Sequence, residues 1–336
     1  MPNRSRRNYL PTRFLLPSAL SVFSLCFAVP AKEHHTRIDL FPRVQAGQVL
    51  EYEVSYHREK LVRTETPAFA SSPANSGKMD VNALIRFEVL AVQAQGERAA
   101  IHGRTTFSVL NSQLRQKIPG FAPPPDEVQK EERGGKFVEF RILPEGRVDE
   151  VKGLDQLAPD QQEGWQEWIS RFLLAATLPS GGTHLQQRWN SAEPEKSPSP
   201  IGGLQWLRES TYAEDQVCRP VEITVSGQIA ASDAEAQTCA VILTTAALKQ
   251  RSNEKDATPE EFKVHELRTT GKASGKNRIV TYVSLKTGLL MRATEEATQQ
   301  MDVIVAKSDG SNRVHYQVSA KSRSEVLLVR QTALDP

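Results

Sequence analysis

Apolar and polar residues alternate over several long stretches of this chain. The first stretch covers residues 47–57, and its apolar side chains are Leu50, Tyr52, Val54 and Tyr56. A period of two directs successive side chains to opposite faces, so the pattern indicates a strand with one buried face. The same period recurs in residues 81–89 and 101–109. Because a turn at 95–97 separates these two runs, they predict a hairpin.

Three further pairs of strand-like runs flank short turn segments. The pairs are 136–143 with 147–154, 277–285 with 289–297, and 302–306 with 313–329. In the first of these turns, Pro144 presets a turn dihedral and Gly146 accepts a positive one. Because consecutive strands usually lie side by side, we expect a meander of antiparallel strands.

One stretch has the period of a helix. From 159 to 177, apolar residues recur at intervals of three and four, at Trp165, Trp168, Ile169, Phe172, Leu173 and Ala176. Pro159 suits a first helical turn and Pro179 ends the pattern, so we predict an amphipathic helix over 159–177. Its Trp pair either packs on the sheet as core or contacts a membrane or a sugar. Trp189 and Trp206 are expected to join the core.

A single helix is too small to cover a sheet of about a dozen strands. The sheet must then bury its apolar face against another sheet or by curling on itself. We therefore predict a mainly β protein with a large antiparallel curved sheet, in the form of a half-barrel, a barrel or a sandwich.

Two segments are rich in Pro, Ser, Ala and Gly and lack apolar periodicity, which predicts loops at 64–77 and 190–203. Residues 32–336 are expected to form the mature β-rich domain. This domain is either a single unit or two halves, 38–157 and 181–330, joined through the predicted helix.

The first 31 residues have the composition of a signal peptide. Residues 1–13 carry four arginines and no acid, and residues 14–28 form an apolar run that is short for a membrane span. Val29 and Ala31 fit the small residues that signal peptidase requires, so we expect cleavage after Ala31. The mature protein is then periplasmic or secreted. The alternative is an uncleaved membrane anchor, which Pro17 would interrupt.

Cleavage would remove Cys26 and leave Cys218 and Cys239 in an oxidising setting. Each adjoins a strand-like run, at 220–229 and 238–248, and pairing of these runs would bring the sulfurs within bonding reach. We predict a structural disulfide between Cys218 and Cys239. Two reduced buried thiols and a redox couple are the alternatives, and the lack of a Cys-x-x-Cys spacing disfavours the redox couple.

The usual catalytic motifs are missing from the sequence. Its 7 histidines form no His-x-x-x-His pair, and neither a Gly-x-Ser-x-Gly elbow nor a phosphate-binding glycine loop occurs. We predict no catalytic residue, no cofactor and no enzymatic activity, with an enzyme that has an unrecognised site as an alternative. Lys and Arg total 42 against 40 Asp and Glu, and this near-neutral balance argues against nucleic-acid binding.

One metal site depends on the expected cleavage. A mature chain that begins Lys32, Glu33, His34 would offer a free amine, two backbone amides and an imidazole in one plane, the geometry that Cu(II) or Ni(II) favours. The alternative is a disordered polar tail.

Three segments occur in an order that resembles a family of uncharacterised, secreted, β-rich bacterial proteins. They are residues 47–52 (GQVLEY), 142–148 (ILPEGRV) and 285–290 (LKTGLL). The predicted architecture is also similar, at fold level, to periplasmic lipoprotein carriers, whose curved sheet holds an acyl chain. This likeness implies a hydrophobic ligand and assigns no binding residue.

The function expected from these observations is that of an exported, non-enzymatic β-protein. It binds a hydrophobic ligand or an envelope partner, such as a lipid or another cell-envelope component, because its long strands leave a large apolar face to fill. The alternative is a structural or assembly module that pairs through exposed edge strands. No transmembrane span is expected in the mature chain.

Overall fold

The computed structural model describes residues 37–66, 74–95, 98–117, 127–129, 136–144, 146–172, 178–179, 181–195, 199–223, 229–231, 235–251 and 258–332. All of these residues belong to one compact unit, Thr36–Pro336. Strands predominate among them, and the two α-helices are short.

The first half of the described chain consists of strands that lead into a helix. They are β1 (Val49–Glu65), β2 (Asn75–Gln95), β3 (Arg98–Lys117), β4 (Glu127–Gln129), β5 (Phe137–Ile142), β6 (Val148–Lys152) and α1 (Pro159–Phe172). The second half consists of β7 (Arg188–Pro194), β8 (Leu204–Cys218), β9 (Val221–Ile223), β10 (Ile229–Ala231), β11 (Gln237–Gln250), α2 (Glu260–Val264), β12 (Leu267–Ser284), β13 (Leu290–Lys307) and β14 (Val314–Thr332).

Twelve strands form one antiparallel sheet. Eleven follow the order β6-β5-β3-β2-β1-β14-β13-β12-β11-β8-β7, and β4 pairs with β3 beside this path. Strands β9 and β10 form a separate two-stranded ribbon. In the described part of the chain the sheet is open, with β6 at one end and β7 at the other. The predicted fold class, a mainly β protein with a large curved antiparallel sheet, is confirmed, and the closed-barrel form is excluded.

The two halves of the sheet meet where the first and last strands of the chain pair. Strand β1 runs antiparallel to β14 over its whole length, from Val49 opposite Thr332 to Glu65 opposite His315. On either side of this pair, neighbouring strands follow one another as a meander. The predicted hairpins β2–β3, β5–β6, β12–β13 and β13–β14 are confirmed, and the runs 289–297 and 302–306 are parts of the single strand β13.

Strand β8 was not predicted from the sequence. Its buried positions alternate as expected, but they combine apolar with polar residues: Leu204, Trp206, Arg208, Ser210 and Tyr212. The polar pair in the middle interrupts the apolar alternation from which strands are predicted. In the neighbouring run 220–229, Val221–Ile223 form β9 and Ile229 begins β10, and residues 224–228 lie outside the described range.

Parts of both predicted loops are strand, and residues 67–73 and 196–198 lie outside the described ranges. The prediction of a loop at 190–203 is wrong over its first residues, because these belong to β7. This edge strand alternates between half-buried and exposed positions and lacks an apolar pattern. The prediction of a loop at 64–77 is wrong at both ends, because β1 continues to Glu65 and β2 begins at Asn75.

Helix α1 packs on one face of the sheet, which we call the inner face. It contacts β1, β2, β3, β13 and β14. Trp165 is 4% exposed and Trp168 is fully buried, so the core interpretation of this Trp pair is confirmed. The ring of Trp168 lies 5.7 Å from that of Phe87 and 5.9 Å from those of Tyr52 and Phe140. The helix is described to Phe172, and the predicted residues 173–177 lie outside the described range.

A second apolar cluster lies on the inner face of β8, β11 and β13. Trp206 packs there with Ile201 and Leu248, whereas Trp189 packs against the main core. The indole nitrogen of Trp206 donates a hydrogen bond of 2.8 Å to Glu195 Oε2, which ties the segment after β7 to this cluster. None of the helices in the described ranges has the length and apolar character that crossing a membrane requires.

Candidate ligand-binding groove

The two predicted disulfide cysteines lie side by side. Cys218 ends β8 and Cys239 lies near the start of β11, and their Cα atoms are 5.9 Å apart in a Cys218–Cys239 disulfide. The bond therefore joins neighbouring strands diagonally, since Cys218 is opposite Gln237. It closes the segment that contains the β9–β10 ribbon, and β9 in turn lies against β14. The predicted copper ligands Lys32, Glu33 and His34 lie outside the described residues.

The inner face beneath α1 is filled by protein side chains. Tyr52, Phe87, Phe140 and Trp168 are all completely buried there. A hydrophobic ligand expected inside the curve of the sheet would have to displace this aromatic cluster. The inner face beneath α1 therefore leaves no room for a ligand among the described residues.

A groove of about 1020 Å³ crosses the opposite, exposed face of β7, β8, β11, β12 and β13. Two rows of side chains form its walls, each with one residue per strand in register. The first row is Asn190, Glu209, Thr245, Arg278 and Glu296. The second row is Ala192, Leu207, Ala247, Lys276 and Thr298. We call this feature the transverse groove.

The floor of the transverse groove is backbone. The residues between the two rows are Ser191, Arg208, Ala246 and Asn277, and their side chains point to the inner face. On that face, Arg208 Nη2 pairs with Glu193 at 2.9 Å, and Asn277 donates a hydrogen bond to Glu295. These buried polar contacts connect β7 to β8 and β12 to β13, so they hold the strands of the floor in place.

The size of the groove follows from sheet geometry. Five strands leave four intervals of about 4.8 Å, so the groove is about 19 Å long, and rows two residues apart on a strand stand about 7 Å from one another. The alanines at 192 and 247 and the threonines at 245 and 298 leave this space unfilled because they are short. The groove is thus a long, narrow furrow with three aliphatic side chains, Ala192, Leu207 and Ala247, in its second row and polar or charged side chains at its other wall positions.

Basic side chains gather at the end of the groove nearest the sheet centre. Lys276 and Arg278 stand on β12, and both rows continue onto β14 with Lys321 and Arg323. Glu296 lies between the two arginines, and all five side chains are exposed. In the part of the chain that the structure describes, none of the four cations has an ion-pair partner. We call these four cations the basic end.

Beyond the basic end, exposed carboxylates are paired. Glu59 on β1 forms a salt bridge with Lys78, which lowers the pKa of this carboxyl, and Lys321 contributes a smaller electrostatic effect. His57 Nδ1 lies 2.5 Å from Asp80 Oδ1. Glu59 and Asp80, the two acidic groups beyond the basic end, are therefore engaged with other partners.

A second histidine, near the far end of the same face, joins three strands. His315 on β14 lies with Nε2 2.6 Å from Asp302 Oδ1 and Nδ1 3.0 Å from Glu65 Oε2. The hydrogen bonds to Asp302 and then Glu65 raise the pKa of His315 above its ordinary value. Within the described residues, no group of three or more His, Cys, Asp or Glu side chains forms a metal site.

No local sequence pattern predicts the transverse groove. Four of its ten wall residues lie on β7 and β8, and neither strand was predicted. The remaining signal is the run of short side chains on the exposed face of β11, at Thr245 and Ala247. Solvent-facing positions with small residues are common, so only the register across five strands shows that they form a groove.

Comparisons with known proteins place no family name on this fold. No protein-family model and no curated protein matches the chain significantly. Among solved structures, a Bacteroides fragilis protein with a YmcC-like fold, described as exported, aligns at 8% identity with a TM-score of 0.27, over 89% of this chain and 100% of its own. The Pseudomonas aeruginosa outer membrane protein OprG aligns at 7% identity with a TM-score of 0.16, over 87% of this chain and 100% of its own. OpdQ from Pseudomonas aeruginosa aligns at 4% identity with a TM-score of 0.19, over 83% of this chain and 99% of its own. These TM-scores are too low for a common fold or function to be inferred.

Proposed function

We propose that this chain is an exported, non-enzymatic β-protein that binds a hydrophobic ligand in the transverse groove. The observation that supports this most directly is the groove itself, whose volume of about 1020 Å³ is at the upper end of the range for small-molecule sites. Export is inferred from the composition of residues 1–31. The mature N-terminus, read by protein sequencing, should then be Lys32, and an uncut chain in the membrane fraction would instead support an uncleaved membrane anchor.

The shape of the groove favours a single extended chain as the ligand. A methylene chain advances about 1.25 Å per carbon, given C–C bonds of about 1.5 Å, so a furrow of about 19 Å holds about fifteen methylenes. Each methylene removed from water contributes about 0.8 kcal/mol, and partial burial along an open furrow suffices for measurable binding. A peptide strand would need free backbone partners, which β8, β11, β12 and β13 lack because each of them is paired on both sides.

The test fills the groove at its centre. The neighbours of Ala247 in its row are Leu207 and Lys276. Ala247→Trp places an indole between them, in the space that a bound chain would occupy. Binding of tetradecanol is measured by displacement of the neutral dye N-phenyl-1-naphthylamine. Its affinity should fall by at least about tenfold, because a chain with two fewer buried methylenes loses about 1.6 kcal/mol of binding free energy. Ala192→Trp at the edge strand is a second variant for the same measurement.

The matched control is Ala306→Trp, on the exposed face of β13 and outside the groove. It should bind tetradecanol as the parent protein does, and unfolding midpoints of all three variants verify that they are folded. Undiminished binding by the folded Ala247→Trp and Ala192→Trp proteins, or no binding by the parent protein, would overturn the proposed function.

A second candidate function is pairing of β7 with a partner strand. The observation that favours it is that β7 ends the sheet and pairs only with β8 among the described strands. A photoreactive side chain at Asn190, which is exposed on β7, should then crosslink to one discrete protein in the producing cells, and the same side chain at Ala306 should not. Equal labelling at both positions would exclude edge pairing.

A further inference from the structure

The basic end of the transverse groove gives the site a direction. Lys276 stands opposite Thr298, which stands opposite Lys321, and Arg278, Glu296 and Arg323 form the parallel row. Strands β12 and β14 are about 10 Å apart, and the two rows are about 7 Å apart. The four cations therefore surround an area of the size of one small anionic group, with a single carboxylate among them.

The opposite end of the groove has a different character. At the edge strand β7 the wall residues are Asn190 and Ala192, which carry no charge. The nearest carboxylate on that side, Glu209, faces Arg188 at 3.9 Å. The groove thus passes from an uncharged open edge to a cluster of cations at the sheet centre.

We propose that the ligand is a single-chain amphiphile with an anionic headgroup, its chain along the groove and its headgroup at the basic end. This inference rests on the proposed function and adds the ligand class and its orientation. A phosphate-type or carboxylate headgroup accepts hydrogen bonds from Lys and Arg, and such charge-assisted bonds are stronger than neutral ones. Because all four cations are exposed, the preference for an anion must weaken as salt rises.

The experiment compares two ligands that share one chain. Tetradecyl phosphate and tetradecanol each displace N-phenyl-1-naphthylamine from the purified full-length protein at low salt. We expect tetradecyl phosphate to bind at least about tenfold more tightly, and expect the difference to shrink several-fold in about 0.5 M NaCl. The double variant Lys321→Gln, Arg323→Gln, on β14 beyond the five strands of the groove, should lose most of the preference and keep its affinity for tetradecanol.

The control variant is Arg268→Gln, an exposed cation on the same face of β12 and away from the groove. It should keep the preference for tetradecyl phosphate. Equal affinity of the parent protein for both ligands would overturn the headgroup assignment and leave the proposed function intact, whereas failure of both ligands to bind would overturn the proposed function as well.

Two further measurements test whether a free anion or an anionic membrane surface occupies the basic end instead of an amphiphile. Inorganic phosphate at millimolar concentration should not displace tetradecyl phosphate. Displacement would show a site for free anions and contradict the proposal. Binding to vesicles of anionic phospholipid, with no binding of the monomeric amphiphile, would assign the basic end to a membrane surface and contradict it too.

Discussion

His315 is held between two carboxylates on different strands, and its protonated form is favoured in the folded protein. The pKa is raised above the ordinary 6.5, first by the hydrogen bond to Asp302 and then by that to Glu65. A base with a raised folded pKa stabilises the fold fully below the unfolded pKa, and this contribution is lost as pH rises through the folded pKa. The stabilising contribution of His315 is therefore present at pH 6 and absent at high pH.

This predicts a pH-dependent difference between the parent protein and His315→Gln. The parent should lose thermal stability between pH 6 and pH 9 by more than the variant does, as measured by the unfolding midpoint in circular dichroism. His265→Gln, an exposed histidine after α2, serves as the control and should follow the parent. The same pH dependence in all three proteins would contradict the role of His315.

Gly103 shows how a single residue in a strand can be required by packing. A Cβ at this position would lie 1.9 Å from an atom of the Phe87 ring, so the ring occupies the space that a side chain would need. The sequence shows Gly103 as a weak position in a strand, because glycine adds flexibility there. The structure shows that it allows Phe87 to reach Phe140, with ring centroids 5.6 Å apart.

The disulfide closes the segment that contains the β9–β10 ribbon. Cys218 and Cys239 are 21 residues apart in sequence, and the loop between them contains β9 and β10. In the chain-entropy account, closing a loop of about 20 residues stabilises the fold by roughly 3 kcal/mol. Because the bond joins strands β8 and β11, which pair along most of their length, its loss should affect the ribbon before it affects the sheet.

This predicts that the double variant Cys218→Ser, Cys239→Ser folds with a lower free energy of unfolding, by about 3 kcal/mol in urea titration. Limited proteolysis should cut the variant first between residues 219 and 236, and cut the parent there more slowly. A parent protein cleaved in this segment at the same rate as the variant would show that the bond does not hold the ribbon.

The elements themselves were predicted to different degrees. Strands with one continuous apolar face, such as β1 and β2, were predicted because their pattern is local. Strand β8 was missed because Arg208 and Ser210 occupy its buried face, and their partners Glu193 and Thr244 come from other strands. A polar residue in a buried position is recognisable only when its partner is known.

The two meanders belong to one sheet, and both pack against helix α1. The β1–β14 pair joins the halves, and α1 contacts strands from both. We therefore expect one cooperative unfolding transition, with tryptophan fluorescence and far-ultraviolet circular dichroism giving the same urea midpoint. Two separated transitions would instead show that 38–157 and 181–330 are independent halves.

Local patterns in the chain predict the fold class, the hairpins, the helix and the cysteine pair, because these features depend on periods and on neighbours in sequence. Three features are visible only in the folded protein: the pairing of the first and last strands, the aromatic cluster around Trp168 that fills the inner face, and the groove that crosses the other face. Each row of the transverse groove takes one residue from each of five strands, from 190–192 to 296–298. Register between distant strands leaves no local pattern, since exposed positions tolerate small and charged residues alike.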